Sequence, residues 1–470
     1  MMKINNQQLL IILLLGAVIR LVFILYGAEV FFQRENIHYD SDTGLWKECV
    51  SNLINHGNYI YGSKGWFCRM PGYSYFMGGI YLLSGRDWIN TYKVIGWVQT
   101  SLDIISIYLV YKISQIYFHN IVALLSSLIY ALYPFIIVWN PVAYSESISV
   151  FLLLITILFF LKFDDYKFKY LGLSSFFLSL ACLTRPQLLV FFPILGLVLI
   201  IRPSFNRTHF FKKLLWFSFI FLFIFGLWPA RNFINHNKFI ITKNVEGVDG
   251  FTEDVVSFMQ YIYAVKTDWD PQFSSIVKNK ETIFPNICYK NKADSLKLES
   301  VIYLAKTCGS GFSRKEGYWA QKITAEKSNC DSKISEIFNS LRKNFIKENK
   351  LNFYLLVPLN NLKKAIFKYN PSNKLKDSLI KKIMFLYRAL IILVGLIGLF
   401  SLYRKQMSLF IIISLTFISI YGVLCFGTAP FMRNIEIRYF LQADVLMIIP
   451  AANFIYNSYL FFKNKRINQV

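Results

Sequence analysis

The sequence predicts an all-α integral membrane protein with about ten transmembrane helices, interfacial helices in its first outer loop and a small outer domain. Three observations carry that expectation. Of the 470 residues, 55% are hydrophobic and only 17% are charged, which is more apolar side chain than a soluble core of this length can hide. Apolar runs of about 20 residues, the length needed to cross the hydrocarbon, recur along the chain. The Lys and Arg residues, whose excess gives a formal charge of +24, fall mainly in the loops between those runs, which is the pattern that orients membrane proteins and favours lipid phosphates second. Nucleic acid, the usual partner of so basic a soluble chain, is disfavoured because the many Phe and Tyr residues sit in or beside the apolar runs and form no basic recognition module.

The predicted spans lie near 9–31, 89–111, 120–139, 144–161, 170–184, 187–201, 213–230, 379–402, 407–428 and 439–461. The first run, Leu9 to Phe32, is too long for the core of a secretory signal and no small-residue cleavage site follows it, so it reads as an uncleaved span. If the spans alternate, Lys162, Lys167, Lys169, Arg202, Arg207, Lys212, Lys213, Arg404, Lys405, Lys463, Lys465 and Arg466 share one side, the cytoplasm. Both termini are then cytoplasmic, and two long hydrophilic stretches, 32–88 and 231–378, face outward. The organisation is an N-terminal membrane module over 1–230 whose first outer loop carries the site, an outer domain over 231–378, and C-terminal membrane helices over 379–470.

In the first outer loop, Leu45, Trp46, Cys49, Val50, Leu53 and Ile54 recur at helical spacing with polar residues opposite, the pattern of a helix lying on the membrane surface. Tyr73 to Leu83, after Pro71-Gly72, is apolar but short, and it too is expected in the interface. The large outer stretch reads as a small ordered domain with surface helices, ending in an amphipathic piece near Leu359 to Tyr369. No repeat of fixed period appears. The seven cysteines show no metal-ligand spacing; Cys49, Cys68, Cys288, Cys308 and Cys330 fall outside, where an oxidising compartment pairs thiols. His38, His56 and His236 show no metal spacing either. No cofactor is expected, and no metal site is claimed, although a divalent cation assists some enzymes of this chemistry.

Five polar clusters stand at the outer ends of the spans, where a charge near lipid is expensive and persists for a reason. They are YDSD (39–42), CRMPGY (68–73), PVAYSE (141–146), TRPQ (184–187) with WPARN (228–232), and RNIEIRYF (433–440). Brought together they set Asp40, Asp42 and Glu146 against Arg69, Arg185, Arg231, Arg433 and Arg438. A carboxylate serves as general base for an attacking hydroxyl or amine, while guanidinium forks hold a phosphate and stabilise it as it leaves. At a membrane surface that phosphate belongs to a lipid whose tail stays in the bilayer.

The order of these pieces resembles the membrane glycosyltransferases of the GT-C fold, specifically the family 39 and aminoarabinose-transferase-like branch that uses polyprenyl-phosphate sugars. The resemblance runs from an acidic residue after the first span, through Asn52-Leu53 to Gly57 and the Arg69 to Tyr73 element, to WPARN and the RYFLQADVLMIIPAA segment (438–452). In that last segment Gln442 and Ala443 stand where the family carries a proline. The resemblance implies an inverting transferase acting at the outer face on a polyprenyl-phosphate-linked sugar donor, with a lipid, glycan or protein as acceptor. By it Asp42 is the base with Asp40 in reserve, Glu146 orients the acceptor or a cation, and Arg69, Arg231, Arg438 and Arg433 bind the donor phosphate.

Plainer roles fit the same residues. Asp42 stands where a side chain caps a helix, Asp40 reads as a solvated loop residue, the arginines as membrane anchors, Arg185 as the end of a short span, and Glu146 as an acid favoured by a helix N-terminus. A transporter or flippase of a lipid-linked glycan is the rival from another class; it would carry charges toward the midplane, where these spans show only Asp103. A non-catalytic scaffold is the third reading. The Lys-, Asn- and Ile-rich composition suggests an AT-rich bacterial genome and hence a bacterial inner membrane.

Overall fold

The computed structural model describes residues 2–62, 65–163, 168–201, 207–244, 252–267, 269–313, 330–367, 375–403, 406–428, 432–433 and 435–467. Lys167, Arg202, Tyr369, Arg404, Lys405 and Asn434 lie outside them. Among the described residues the chain is helical, without a strand; one isolated antiparallel bridge joins Tyr61 and Gly65 in the first outer loop.

The membrane part follows the sequence order. Helix α1 (Met2–Val22) runs through a π turn at Phe23–Gly27 to Phe32, and the outer loop then forms α2 (Ser41–His56) and α3 (Pro71–Leu83). There follow α4 (Trp88–Tyr117), α5 (Asn120–Ala131), α6 (Pro134–Trp139), α7 (Glu146–Lys162), α8 (Phe168–Thr184), α9 (Phe191–Ile201), α10 (Arg207–Phe225) and α11 (Leu227–His236). The outer domain holds α12 (Glu253–Val265), α13 (Asp270–Val277), α14 (Lys292–Thr307), α15 (Asp331–Glu348) and α16 (Val357–Phe367), and the chain closes with α17 (Leu375–Leu402), α18 (Met407–Phe426) and α19 (Leu441–Ile467).

The chain is a multi-pass membrane protein. Each of the predicted spans, about ten, has a helical counterpart. Five helices among the described residues are long and apolar enough to cross alone, and α10 with α11, bent by 42°, makes a sixth. Proline explains two of the shorter ones: Pro134 splits the third predicted span, and Pro186 opens the sixth as a 3₁₀ turn (Pro186–Val190). Helices α7 and α8, of 17 residues each, reach only about 26 Å. Helix α7 lies inside the bundle, so protein covers what lipid would otherwise meet. Lipid-facing side chains show on the outside instead: Leu10, Ile11, Leu14 and Val18 on α1, and Phe219, Leu222 and Phe223 on α10 are all exposed.

Two ion-pair networks are sealed inside the bundle. Arg20 Nε lies 2.6 Å from Asp103 Oδ2, and Asp103 also accepts from Tyr130 Oη at 2.5 Å and Asn140 Nδ2 at 2.7 Å. Arg388 Nε lies 2.7 Å from Asp444 Oδ2, and the same carboxylate accepts from Tyr421 at 2.5 Å and Tyr133 at 3.1 Å. Asp103 is therefore not alone within the spans, as the sequence suggested. Arg20, Arg388 and Asp444 join it, each neutralised across helices because an unpaired charge there is prohibitive. They clamp helices to one another, with both side chains of each ion pair at 0% exposure.

The outer helices build a core of their own around Phe258, Ile262, Leu298, Val301, Ile334, Phe338 and Phe353. The Cys308–Cys330 disulfide joins the end of α14 to the start of α15. The sequence placed α2 flat on the membrane; its apolar side packs on protein. Trp46 meets Tyr73 of α3 at 4.8 Å between ring centroids and Tyr144 at 5.9 Å, and Trp46, Cys49 and Val50 are buried. An amphipathic face is satisfied by any apolar partner, and here α3 supplies it.

Candidate active site

Three close approaches of backbone bring the scattered clusters to one end of the bundle. On α4, Gly96 leaves room for His38, which lies against Pro141; a Cβ there would meet His38 Nδ1 at 2.9 Å and the Pro141 carbonyl at 3.0 Å. The segment before α2 is then tied to the loop before α7: Ala143 N–H donates to the His38 carbonyl at 2.9 Å, and Thr43 Oγ1 donates to the Ala143 carbonyl at 3.2 Å. At the start of α3, Gly72 abuts the end of α8, where a Cβ would fall 2.6 Å from Leu183 C and 2.7 Å from Thr184 N. The segments that carry Arg69 and Arg185 thereby meet. At the start of α19, Gln442 donates to Ser149 Oγ at 2.9 Å and accepts from Gln187 at 2.8 Å, while Gln187 also donates to the Tyr439 carbonyl at 3.0 Å. Gln442 thus holds the Arg438 segment against α7 and the TRPQ turn.

The charged groups that meet there form one network. Asp42 lies between two guanidinium groups, Arg69 Nη2 at 2.8 Å from Oδ1 and Arg438 Nη2 at 2.8 Å from Oδ2. Arg438 continues to Glu436 at 2.6 Å and approaches Glu146 Oε1 at 3.9 Å, and Arg185 Nη1 meets the same Glu146 oxygen at 2.8 Å. Burial alone would raise the Asp42 carboxyl, but the Arg69 and Arg438 charges and hydrogen bonds outweigh it and hold the pKa below the usual carboxylate value. Asp42 keeps a quarter of its side-chain surface open, against 3% for Glu146. The second Glu146 oxygen, Oε2, is buried without a hydrogen-bond partner, a vacancy that a hydroxyl or ammonium donor would fill. Aromatic rings wall the cluster: Arg69 stacks over Trp46 at 4.6 Å and Arg438 over Tyr144 at 5.0 Å.

Three residues expected at the site stand elsewhere. Asp40 points to Arg34, 3.0 Å away. At the head of a helix, side chains two positions apart leave in different directions, and only Asp42 turns toward the arginines. Arg231 binds backbone, donating to the carbonyls of Tyr59 at 3.0 Å and Trp66 at 3.4 Å, and stacks over Trp228 at 5.4 Å. Arg433, buried at 1% exposure and at φ 72°, donates to the carbonyls of Gly427, Tyr263 and Phe353 at 2.9, 3.0 and 3.1 Å. Both satisfy carbonyls that helix ends and turns leave open, a role sequence does not distinguish from phosphate binding.

The site also contains residues the sequence reading passed over as ligands. Glu436 orients Arg438, and Lys243 reaches the cluster from the turn after α11. That turn is held by Trp228 donating to Thr242 at 2.7 Å, Asn232 donating to Ile240 at 3.0 Å, and Asn244 N–H donating to Phe67 at 2.9 Å. Lys243 is solvent-accessible as a residue, yet protein crowds its ammonium. Loss of water, reinforced by Arg69 and Arg185 and opposed by Asp42 and Cys68, lowers its pKa to about 8. Nothing in the sequence around Lys243 marked it, because its partners come from three other segments.

Among the described residues no group of His, Cys, Asp and Glu is arranged to hold a metal ion. The network is a carboxylate at an open edge, cations that exceed the neighbouring acids, and a second acid with a vacant oxygen, which suits transfer of a group between a phosphate and a nucleophile.

Residues 69–229, from Arg69 to the proline of WPARN, match the family model for dolichyl-phosphate-mannose-protein mannosyltransferases. A search of curated proteins finds no match. Among solved structures, the apo oligosaccharyltransferase of Archaeoglobus fulgidus is similar at 11% identity and a TM-score of 0.50, over 98% of this chain and 52% of that one. This chain thus spans about half the length of that relative. ArnT from Cupriavidus metallidurans, crystallised with undecaprenyl phosphate, aligns at 13% identity over 93% of this chain and 77% of that one, with a TM-score of 0.37. The first likeness shows the fold, that of the GT-C membrane glycosyltransferases.

Proposed function

We propose that this chain is a glycosyltransferase that moves a sugar from a polyprenyl-phosphate donor to a lipid, glycan or protein acceptor at the outer face of a bacterial inner membrane, both termini lying in the cytoplasm. The observation that carries this reading is Asp42 held between Arg69 and Arg438 at the end of the bundle; of the three, Arg69 lies in the segment that matches the mannosyltransferase family.

In the substrate-free site the Asp42 carboxylate occupies the guanidinium forks that a phosphate would fill. An arriving donor phosphate takes Arg69 and Arg438, with Lys243 and Arg185 beside them, and its charge compensates the arginines as Asp42 withdraws. The freed carboxylate regains the basicity that two cations suppress. The acceptor oxygen or nitrogen then attacks the anomeric carbon from the side opposite the phosphate. The new bond to the sugar forms as the bond from anomeric carbon to phosphate oxygen breaks, the electron pair stays on the phosphate, and Asp42 takes the acceptor's proton; configuration inverts. Glu146 Oε2 accepts a second hydrogen bond from the acceptor. Arg231 and Arg433 keep the surrounding turns in place and make no contact with the phosphate.

The test is donor consumption by the purified protein in detergent or nanodiscs, using radiolabelled polyprenyl-phosphate sugars of several kinds. Turnover by wild type that Asp42→Asn removes supports the reading. Absence of consumption with every donor, or full turnover by the variant, overturns it.

A further inference from the structure

Cys49 and Cys68 are two buried thiols, at 0% and 6% exposure, close enough for each to perturb the other's ionisation. Each sits one structural step from the ion pair at the site. Cys49 is on α2 two turns beyond Asp42, and Cys68 immediately precedes Arg69. Between them the chain folds back as a hairpin, bridged at Tyr61 and Gly65. The hairpin is pinned to α2 by Glu48, which accepts from Gly62 N–H at 2.8 Å, and by Asn52, which donates to the Ile60 carbonyl at 3.0 Å. These bonds are all non-covalent, as are the Asp42–Arg69 ion pair and the Trp46 contacts with Arg69 and Tyr73 that also hold the helix of the carboxylate against the segment of the arginine. The hairpin lies at the same end of the bundle as the outer domain, since Asn244 reaches Phe67 and Arg433 reaches Tyr263 and Phe353. That domain already carries the Cys308–Cys330 disulfide, so this end of the molecule matures where thiols are oxidised.

We propose that Cys49 and Cys68 close a second disulfide, a covalent staple between the Asp42 helix and the Arg69 segment. The thiols are unequal. The proximity of Cys49, helped by Arg69 and Lys243 against burial, lowers Cys68, while the same proximity and burial raise Cys49. Cys68 serves as the attacking thiolate, and Cys49 in that place would balance the step equally. It displaces one sulfur of a disulfide oxidant, either a dithiol oxidoreductase in its disulfide form or oxidised glutathione, to give a mixed disulfide. Cys49 loses its proton and displaces the second sulfur, so that the Cys49–Cys68 bond forms as two electrons and two protons pass to the oxidant. Because both sulfurs are buried in the finished fold, the exchange takes place before the hairpin closes. The staple shortens the unfolded chain's freedom over the loop it encloses.

The experiment uses the full chain, purified in detergent without reductant, denatured in N-ethylmaleimide and digested. A cross-linked Cys49–Cys68 peptide that disappears on treatment with dithiothreitol is expected. The five thiols outside the known disulfide then fall by these two, leaving Cys182, Cys288 and Cys425 as the alkylated controls. Labelled Cys49 and Cys68, in protein as isolated and again after refolding with oxidised glutathione, overturn the proposal. Reduction is also expected to lower Tm and, in the transfer assay, to cut turnover several-fold, both restored on reoxidation and both reproduced by the Cys49→Ser/Cys68→Ser double variant. A cross-link whose reduction moves neither Tm nor turnover removes its stapling role. The cross-link and Tm are read without any sugar donor, so a chain that proves inactive with every donor fails the transferase reading while leaving this one to stand on its own result.

Discussion

At the scale of single residues, the proposed transfer turns on the charge of Asp42. Asn at that position keeps the shape but removes the base, and single-turnover transfer is expected to fall by about 10²–10⁴ while donor binding holds or tightens, since the arginines lose their internal partner. Two pH limbs follow from the neighbours. Asp42 is depressed below the value of 3.8 it has in an unfolded chain, so its ion pairs support the fold fully above that value and are lost only as pH falls through the lower, native one. The acid limb of kcat/KM is expected below the ordinary carboxylate range. Lys243 has the opposite sign: its native pKa of about 8 lies under the unfolded 10.5, so its charged form opposes folding and disappears as pH rises through 8. A donor phosphate favours that charge. KM for the donor is expected to climb above pH 8 in wild type and to lose this climb in Lys243→Met, as initial rates across pH would show. Asp42, Arg69 and Arg438 were legible because each is a charge at the outer end of an apolar run. Arg231 and Arg433 obey the same rule, yet each spends its donors on carbonyls of residues remote in sequence, a partnership that only folding reveals.

At the scale of elements, two glycines and two glutamines set the spacing. Gly72→Ala drives a Cβ into the backbone of Leu183 and Thr184, where no side-chain rotation gives relief. About 1–3 kcal/mol of stability is expected to go, the usual range for overpacking. Transfer is expected to fall with it because the Arg69 segment shifts relative to Asp42, and Tm with turnover of the purified variant checks both effects. The helical character of 41–56 could be read from its period, but its burial on α3 could not, since amphipathicity names an apolar partner without saying whether that partner is lipid or protein. The same ambiguity applies to the shorter predicted spans. Runs such as 144–161 are apolar because they are enclosed by other helices, and hydropathy records the absence of water and not its cause.

At the scale of the molecule, stability is gathered in pairs of buried charges that join segments far apart in sequence. Arg388→Met leaves Asp444 with its two tyrosines but no cation, and a cost of about 3–5 kcal/mol is expected, to be read as lowered Tm in detergent. Replacing Arg388 and Asp444 together by apolar residues of similar size is expected to recover much of that loss, because the uncompensated charge is gone. Overall architecture was accessible from composition and loop charge, since membrane insertion is governed by just those properties. The pairing of Arg20 with Asp103 across 83 positions was not, because each alone resembles an isolated defect in a span.

The guanidinium of Arg433 grips carbonyls from α12, from the turn before α16 and from the end of α18 at once, and Arg438 follows five positions later. This makes Arg433 a pin between the helices of 252–367 and the end of the bundle that carries Arg438. A bulky acceptor tugging on those helices would be transmitted as torque to Arg438, so occupancy at the periphery and grip on the donor would be mechanically geared.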